Sequence, residues 1–263
     1  MTTVGDIYAY MNTLAPLHMK MDWDNVGLLC GDVNEGVTKV LIALDPFEHV
    51  CREAIDTGAQ LLITHHPLIF HPIRALVEEP GTNRCVRLLC RHGISAIGAH
   101  TNLDRAPGGV NDVLAEALGL ENIQVVNPVG VDENGREWGL LHKGELSEQS
   151  LESFLATVKA SLGCNHIRYV SGGKPVNKVC VGGGGCAGMV REAVAAGCDT
   201  FVAGDGKYND FWDAIDLGLN LIDAGHFHTE NPVCYYLAKK IGEKFPDVQV
   251  EISKTHTDPV KIY

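Results

Sequence analysis

From residue 37 the chain alternates short apolar runs with amphipathic ones, and this alternation limits the fold more than any other feature. "VTKVLIAL" (37–44) reads as a strand, "PFEHVCREAIDTG" (46–58) as a helix ending at Gly58, and "AQLLITHH" (59–66) as a second strand. "NRCVRLLCRHG" (83–93), "ISAIGAHTNLD" (94–104) and "GGVNDVLAEALG" (108–119) follow as helix, strand and helix. Strands alternating with helices of this length build βαβ units, so the sequence predicts an α/β fold with mostly parallel sheets.

The pattern also returns. Displaced by 139 residues, "KVLIALDPFEHVCREAIDTGAQLLITHH" (39–66) lies without a gap on "KVCVGGGGCAGMVREAVAAGCDTFVAGD" (178–205). Lys-Val opens both, Arg-Glu-Ala falls at 52–54 and 191–193, and glycine closes both helices at Gly58 and Gly197. "GISAIGAHTNLD" (93–104) has a looser counterpart in "GLNLIDAGHFHTE" (218–230). An internal duplication is the expectation, giving two similar α/β lobes: residues 1–125, completed by the C-terminal segment, and residues 126–263. Between the repeats, residues 121–177 read as a hairpin-like β segment around Glu133-Asn134-Gly135, a helix over 150–163 and a strand over 165–171. No stretch there is long, Pro-rich or charged enough to be a linker.

In parallel sheets, ligand sites form at the carboxyl ends of strands. The first repeat delivers His65 and His66 there, then His100 and Asp104. The second delivers Asp205, then Asp223, His226, His228 and Glu230. Adjacent side chains on a regular strand face opposite ways, but Pro67 turns the chain after the histidine pair, so both imidazoles can converge. Imidazoles mixed with carboxylates suit zinc, manganese, iron or nickel rather than calcium. Any one such residue serves as readily to cap a helix or bind loop backbone. His71, His92, His142, His166 and His256 are assigned to that role.

Within "DAGHFHTE", His226 and Glu230 are spaced i,i+4 and share a face if a helix starts nearby. Thr229 is a suitable N-cap and Pro232 suits a first turn, which would set Glu230 at a helix mouth. His226 and Glu230 are therefore favoured as ligands, with His228 turned elsewhere or supporting them. The loop "VGGGGCAGM" satisfies GxGxxG between strand and helix. Its repeat partner "ALDPFEH" has no glycines, which disfavours a nicotinamide enzyme and leaves Gly183, Gly184 and Gly185 as an anion-binding loop.

The net charge of −12 argues against a nucleic acid partner. No segment approaches the ~20 apolar residues of a membrane span, and the first residues do not read as a signal peptide. Nine cysteines with no CxxC pair then read as reduced thiols of a cytoplasmic protein.

Taken together, "WDNVGLL" (23–29), "LLITHHPLIF" (61–70), "GAHTNLD" (98–104), "GGGGCAGM" (182–189), "VAGDGKY" (202–208) and "DAGHFHTE" (223–230) resemble the NIF-three-like family (NGG-interacting factor three), often labelled type 2 GTP cyclohydrolase I. The resemblance covers nearly the whole chain and corresponds to members without an inserted middle domain. It implies two interlocked lobes with a dinuclear metal site between them, and a ring-shaped homohexamer. It implies two divalent metals per subunit held by His65, His66, Asp104, His226 and Glu230. It further implies a hydrolase acting on a nucleotide or similar small molecule. With GTP as substrate, activated water would open the guanine imidazole ring at C8 and release formate. His100 or Asp205 would then move protons, and Gly183–Gly185 would receive phosphate. The alternative reading is a non-catalytic metal-binding protein: a metal store, insertase or adaptor.

Overall fold

The computed structural model describes residues 1–262. In chain order it forms α1 (Val4–Leu14), β1 (Gly27–Cys30), β2 (Lys39–Ala43), α2 (Glu48–Asp56), β3 (Leu61–Thr64), α3 (Thr82–Arg91), β4 (Ser95–Gly98), α4 (Thr101–Arg105) and α5 (Val110–Ala117). There follow β5 (Glu121–Val126), β6 (Gly130–Val131), β7 (Glu137–Trp138), β8 (Leu141–Gln149), α6 (Leu151–Leu162), β9 (Arg168–Val170) and β10 (Val176–Gly182). The last elements are α7 (Val190–Ala195), β11 (Thr200–Ala203), α8 (Tyr208–Leu217), β12 (Asn220–Asp223), α9 (His226–Glu230), α10 (Pro232–Lys244) and β13 (Gln249–Ile252). The fold is α/β with mostly parallel central strands. The chain divides into one unit of Met1–Ala106 with Cys234–Thr257, and a second of Pro107–Val233 with the segment from Asp258. No helix among the described residues is long and apolar enough to cross a membrane.

The first unit carries a five-stranded sheet in the order β1-β4-β3-β2-β13. β13, β2, β3 and β4 run parallel, and β1 closes the edge antiparallel to β4. All four residues of β3 are buried, as expected of a parallel strand covered on both faces. On one face Leu41, Ala43 and Leu62 pack against Val50, Cys51 and Ala54 of α2 and Cys85, Val86 and Leu89 of α3. The register sets Ala43 beside Thr64 and Thr64 beside Gly98, so β2, β3 and β4 end level with one another.

The second unit carries a six-stranded sheet in the order β5-β8-β10-β11-β12-β9. β10, β11 and β12 are parallel, while β8 and β9 run antiparallel to their neighbours. Alternate residues sort cleanly. Val179, Val181, Val202 and Ile222 meet Leu114 of α5 and Phe154 and Val158 of α6. Cys180, Phe201, Ala203 and Leu221 meet Val190 and Ala193 of α7 and Ala214 of α8. Residues 107–125, grouped on the sequence with the first lobe, supply α5 and β5 to this unit, because β5 pairs with β8. The expected turn at Glu133-Asn134-Gly135 links β6 to β7, with Asp132 Oδ1 accepting from the amides of Asn134 and Arg136 at 2.8 Å. The helix expected over 150–163 is α6, with Ser150 as its cap and Gly163 in the left-handed region at φ 63°.

In each unit three parallel strands, β2-β3-β4 and β10-β11-β12, end in an antiparallel edge, β1 or β9. β3 and β11 occupy 61–64 and 200–203, the same displacement of 139 that aligned the sequences. The sheets part company beyond β2 and β10, whose outer neighbours are parallel β13 and antiparallel β8.

Glu53 on α2 ties down the segment after β13. Its carboxylate accepts from the Lys254 amide (2.8 Å), from the amide and hydroxyl of Thr255 (3.2 and 2.7 Å) and from the Ser253 hydroxyl. Burial alone would raise this carboxyl, but the hydrogen bonds prevail and its pKa is lowered. A depressed carboxyl stabilises the fold above its unfolded pKa of about 4.3, and that contribution is lost as pH falls through the lower folded value. Glu53→Ala should therefore cost about 1–2 kcal/mol at pH 7. In urea unfolding, the gap between variant and parent should close as pH is lowered from 7 to below ~4.

Candidate metal centre

The ladder between β2, β3 and β4 runs one step past the strands, then stops. His66 N donates to Leu44 O at 2.9 Å and Ala99 N to Thr64 O at 3.0 Å. Thr64 Oγ1 turns back to His66 O at 2.6 Å, and Pro67 follows without an N–H to continue the ladder. The strand alternation is thereby broken where the histidines fall. Their rings lie 5.0 Å apart, and His100, from the end of β4, lies 5.3 Å from His65 and 5.5 Å from His66. Ligand atoms of His65, His66 and His100 all fall within 4.8 Å of one another.

Each of these rings is fixed through Nδ1. His65, fully buried, donates to Ala99 O at 2.8 Å. His66 bonds Asp45 Oδ1 at 2.7 Å, and His100 bonds Asp24 Oδ1 at 2.9 Å. A neutral imidazole that donates from Nδ1 carries its lone pair on Nε2, the tautomer that ligates metal. Asp24 is held in turn by the Thr101 amide (3.0 Å) and hydroxyl (2.5 Å). Burial would raise the Asp24 carboxyl, yet the hydrogen bonds from His100 and Thr101 bring it down to about 2. Asp104 N bonds His100 O, and this helical turn carries Asp104 back over the strand ends, where Oδ1 lies 3.5 Å from His65 Nε2.

The second unit presents a matching pair. Here α9 begins at His226, so His226 and Glu230 share one face, with Nε2 and Oε2 3.0 Å apart. His226 Nδ1 is bonded to Asp205 Oδ2 at 2.8 Å, repeating the pattern of the first unit. Thr229 is not the N-cap expected from the sequence. Gly225 caps α9 at φ 89°, and Thr229 lies inside the helix, its Oγ1 accepting from Gly184 N (3.0 Å) and donating back to Gly225 O (2.9 Å). Glu230 consequently sits in the last turn of α9, ahead of α10. Asp223, with Arg168, Gly206 N and Gly225 N around its carboxylate, holds the turn before His226. His228 faces away and pairs with Asp258 at 3.3 Å. His92, His142 and His256 bond backbone or Asp112, in the supporting role assigned to them.

The glycine loop is tied into the second unit through its amides. The amide of Gly183 donates to Asn111 Oδ1 at 2.8 Å and that of Gly184 to Thr229 Oγ1, so both donors are engaged within the unit. The chain after Gly185 forms a 3₁₀ turn over Cys186–Gly188 before the six-residue α7, not a long helix opening on the loop. What the loop provides is room. Gly184 has φ 60°, and a Cβ there would run into Glu230 Oε1 and lie 3.1 Å from His226 Nε2. A Cβ at Gly183 would meet Glu230 Cγ at 3.3 Å, whereas one at Gly185 would find only Asp205 Oδ2 at 3.8 Å.

Imidazoles with buried carboxylates, each ring tied at Nδ1 and a carboxylate cradled by glycine, fit a first-row divalent cation by donor type and by outer support. Asp45, which orients His66, was overlooked on the sequence. Its signal was its place two residues beyond the end of β2, level with His66 across the sheet.

A family model described as Duf34/NIF3 (NGG1p interacting factor 3) matches residues 2–259. A Clostridium perfringens protein named GTP cyclohydrolase 1 type 2 homolog is 34% identical over 259 residues, covering 97% of this chain and 98% of its own. A solved structure from Bacillus cereus, described as related to NIF3, superposes with a TM-score of 0.93 at 28% identity and covers 100% of this chain and 99% of its own. A Staphylococcus aureus hypothetical protein superposes with a TM-score of 0.91 at 32% identity, over 99% of both chains.

The cradle is open to test. Gly184→Ala should displace Glu230 and weaken divalent-cation affinity by about tenfold or more, the loss expected when metal-site support is disturbed. Gly185→Ala should leave it within about twofold, because its Cβ meets nothing closer than ordinary van der Waals contact. Competition with a chromogenic chelator measures both.

Proposed function

The chain belongs to the Duf34/NIF3 family, and from that premise we propose that it is a divalent-metal-dependent hydrolase acting on a nucleotide or similar small molecule. The observation that carries the reading is the set of four histidines, His65, His66, His100 and His226, each fixed through Nδ1. Outer support of that kind is what imidazole metal ligands require. The donors proposed to hold a pair of zinc, manganese, iron or nickel ions are His65, His66, Asp104, His226 and Glu230. Such ions, when bound, supply Lewis acidity and lower the pKa of coordinated water from 15.7 toward ~7.

The protein's own groups divide the remaining work. His100, its Nδ1–H directed to Asp24, offers Nε2 as the atom that takes a proton from water and returns it to the leaving group. A carboxylate behind a histidine holds the ring in the competent tautomer and stabilises its charged form. Asp205 acts through His226 and is a positioning residue. The names carried by the relatives favour a nucleotide substrate, with GTP ring opening and formate release as the specific reaction to try first. The same reading includes descent of the two units from one duplicated unit and a cytoplasmic location, in keeping with nine free thiols. It also includes a homohexamer, whose sedimentation mass would be six times the 28.4 kDa chain.

The test is metal content and turnover measured together. Protein reloaded with Mn²⁺, Zn²⁺ or Fe²⁺ should hydrolyse a member of a nucleotide and phosphoester panel, with formate assayed for GTP. His65→Ala and Glu230→Ala should lose metal and turnover together. His100→Gln should keep the metal and lose about 10²-fold or more in kcat. Full metal loading with no turnover on the panel would sink the hydrolase reading in favour of a metal store, insertase or adaptor.

A further inference from the structure

Beside the histidine cluster lies an aromatic surface that metal binding does not call for. Trp23 is 60% exposed and Phe70 42% exposed, although rings of this size gain most from burial. Their centroids are 5.8 Å apart with planes inclined at 59°. His100 completes a near-equilateral triangle, 6.0 Å from Trp23 and 6.1 Å from Phe70. Because His100 also lies against His65 and His66, the aromatic patch begins one ring's width from the metal-ligating imidazoles.

The exposure is built in. The loop bearing Trp23 is closed by Asp24 N on Met21 O (3.0 Å), by Lys20 Nζ on Asp24 O (2.9 Å) and by Met21 N on Thr101 Oγ1 (2.9 Å). Asn25 Nδ2 donates to Ile69 O at 2.6 Å and so fastens this loop to the one bearing Phe70. Hydrogen bonds on both sides of Trp23 and the one at Ile69 beside Phe70 fasten the two loops, and neither ring folds back into the core.

We propose that Trp23 and Phe70 form a stacking subsite for a planar heteroaromatic ring, such as a purine, whose edge is thereby presented to the His65–His66–His100 cluster. The proposal rests on the reading of this site as that of a nucleotide-type hydrolase and specifies how the substrate is gripped. Stacking on indole and phenyl faces selects planar π-systems and tolerates differences among bases. It also supplies attraction where the general field does not: at a net charge of −12 the protein repels a nucleotide's phosphates over distance. An aliphatic substrate would gain contact area there and none of the ring-face preference.

The probes are guanosine monophosphate, adenosine monophosphate and ribose 5-phosphate, the last lacking the ring. Trp138 is buried and Trp212 exposed, so a Trp212→Phe background leaves Trp23 as the solvent-facing indole. Both nucleotides should quench its emission, and ribose 5-phosphate should not. By equilibrium dialysis, Trp23→Leu and Phe70→Leu should each weaken guanosine monophosphate binding by about five- to a hundredfold at unchanged metal content. Binding of neither nucleotide, equal binding of the ringless probe, or unaltered affinity in both variants overturns the proposal. Emission that follows protein concentration and ignores nucleotide also overturns it, and marks the patch as a contact between copies. Turnover on the same preparations separates the two readings. Ring binding without hydrolysis sinks the hydrolase and spares the subsite, while hydrolysis of a ringless substrate without ring binding does the reverse.

Discussion

An imidazole holds a fixed direction when one of its nitrogens is tied down, and four histidines at the strand ends meet that constraint. A carbonyl holds His65, and Asp45, Asp24 and Asp205 hold His66, His100 and His226. Each anchor comes from the end of a strand, the loop beside it or the turn that follows. The parallel sheets thus do more than enclose a core: their level ends bring donor and anchor within hydrogen-bond reach. The buried carboxylate of Asp24 shows the balance involved, since desolvation acts against its charge and His100 with Thr101 outweighs it.

Much of the fold was legible because parallel strands announce themselves as apolar runs and their helices as amphipathic ones. β2, α2 and β3, and their counterparts β10, α7 and β11, fall where the aligned segments placed them. What escaped was non-local. Nothing in "ENIQVV" states that β5 will pair with β8 in the second unit's sheet, because an antiparallel edge strand with three exposed and two half-buried residues carries no strong periodicity. The place of "QVEI" beside β2 is similarly a matter of long-range pairing rather than of local pattern.

The candidate site was legible in its histidines and carboxylates and obscure in their supports. Histidine and glutamate stand out at strand ends, whereas Asp45 and Thr101 look like ordinary turn residues until their partners are seen. The i,i+4 spacing of His226 and Glu230 was informative, but Thr229 as a cap was not, since a threonine inside a short helix can bond the backbone of the preceding turn equally well. The glycines mark places where the chain has no room for a side chain. Gly204 aligns with His65 at the displacement of 139, and a Cβ there would lie 2.6 Å from Gly184 O and 2.8 Å from His226 N. Backbone leaves no room for a side chain at Gly204, and the Glu230 and His226 side chains leave none at Gly184.

The C-terminal clamp at Glu53 has a bearing on how the chain comes to be folded. Lys39 on β2 pairs with Glu251 on β13 across a separation of 212 residues. During synthesis β2, β3 and β4 emerge early, yet one edge of their sheet is left open until nearly the whole second unit has left the ribosome. Contacts of such high order form slowly, and an open edge is a template for pairing with another chain. The native termination of that edge is therefore a late event, and the fifth strand with its Glu53 latch is where nascent-chain quality control has the most to protect.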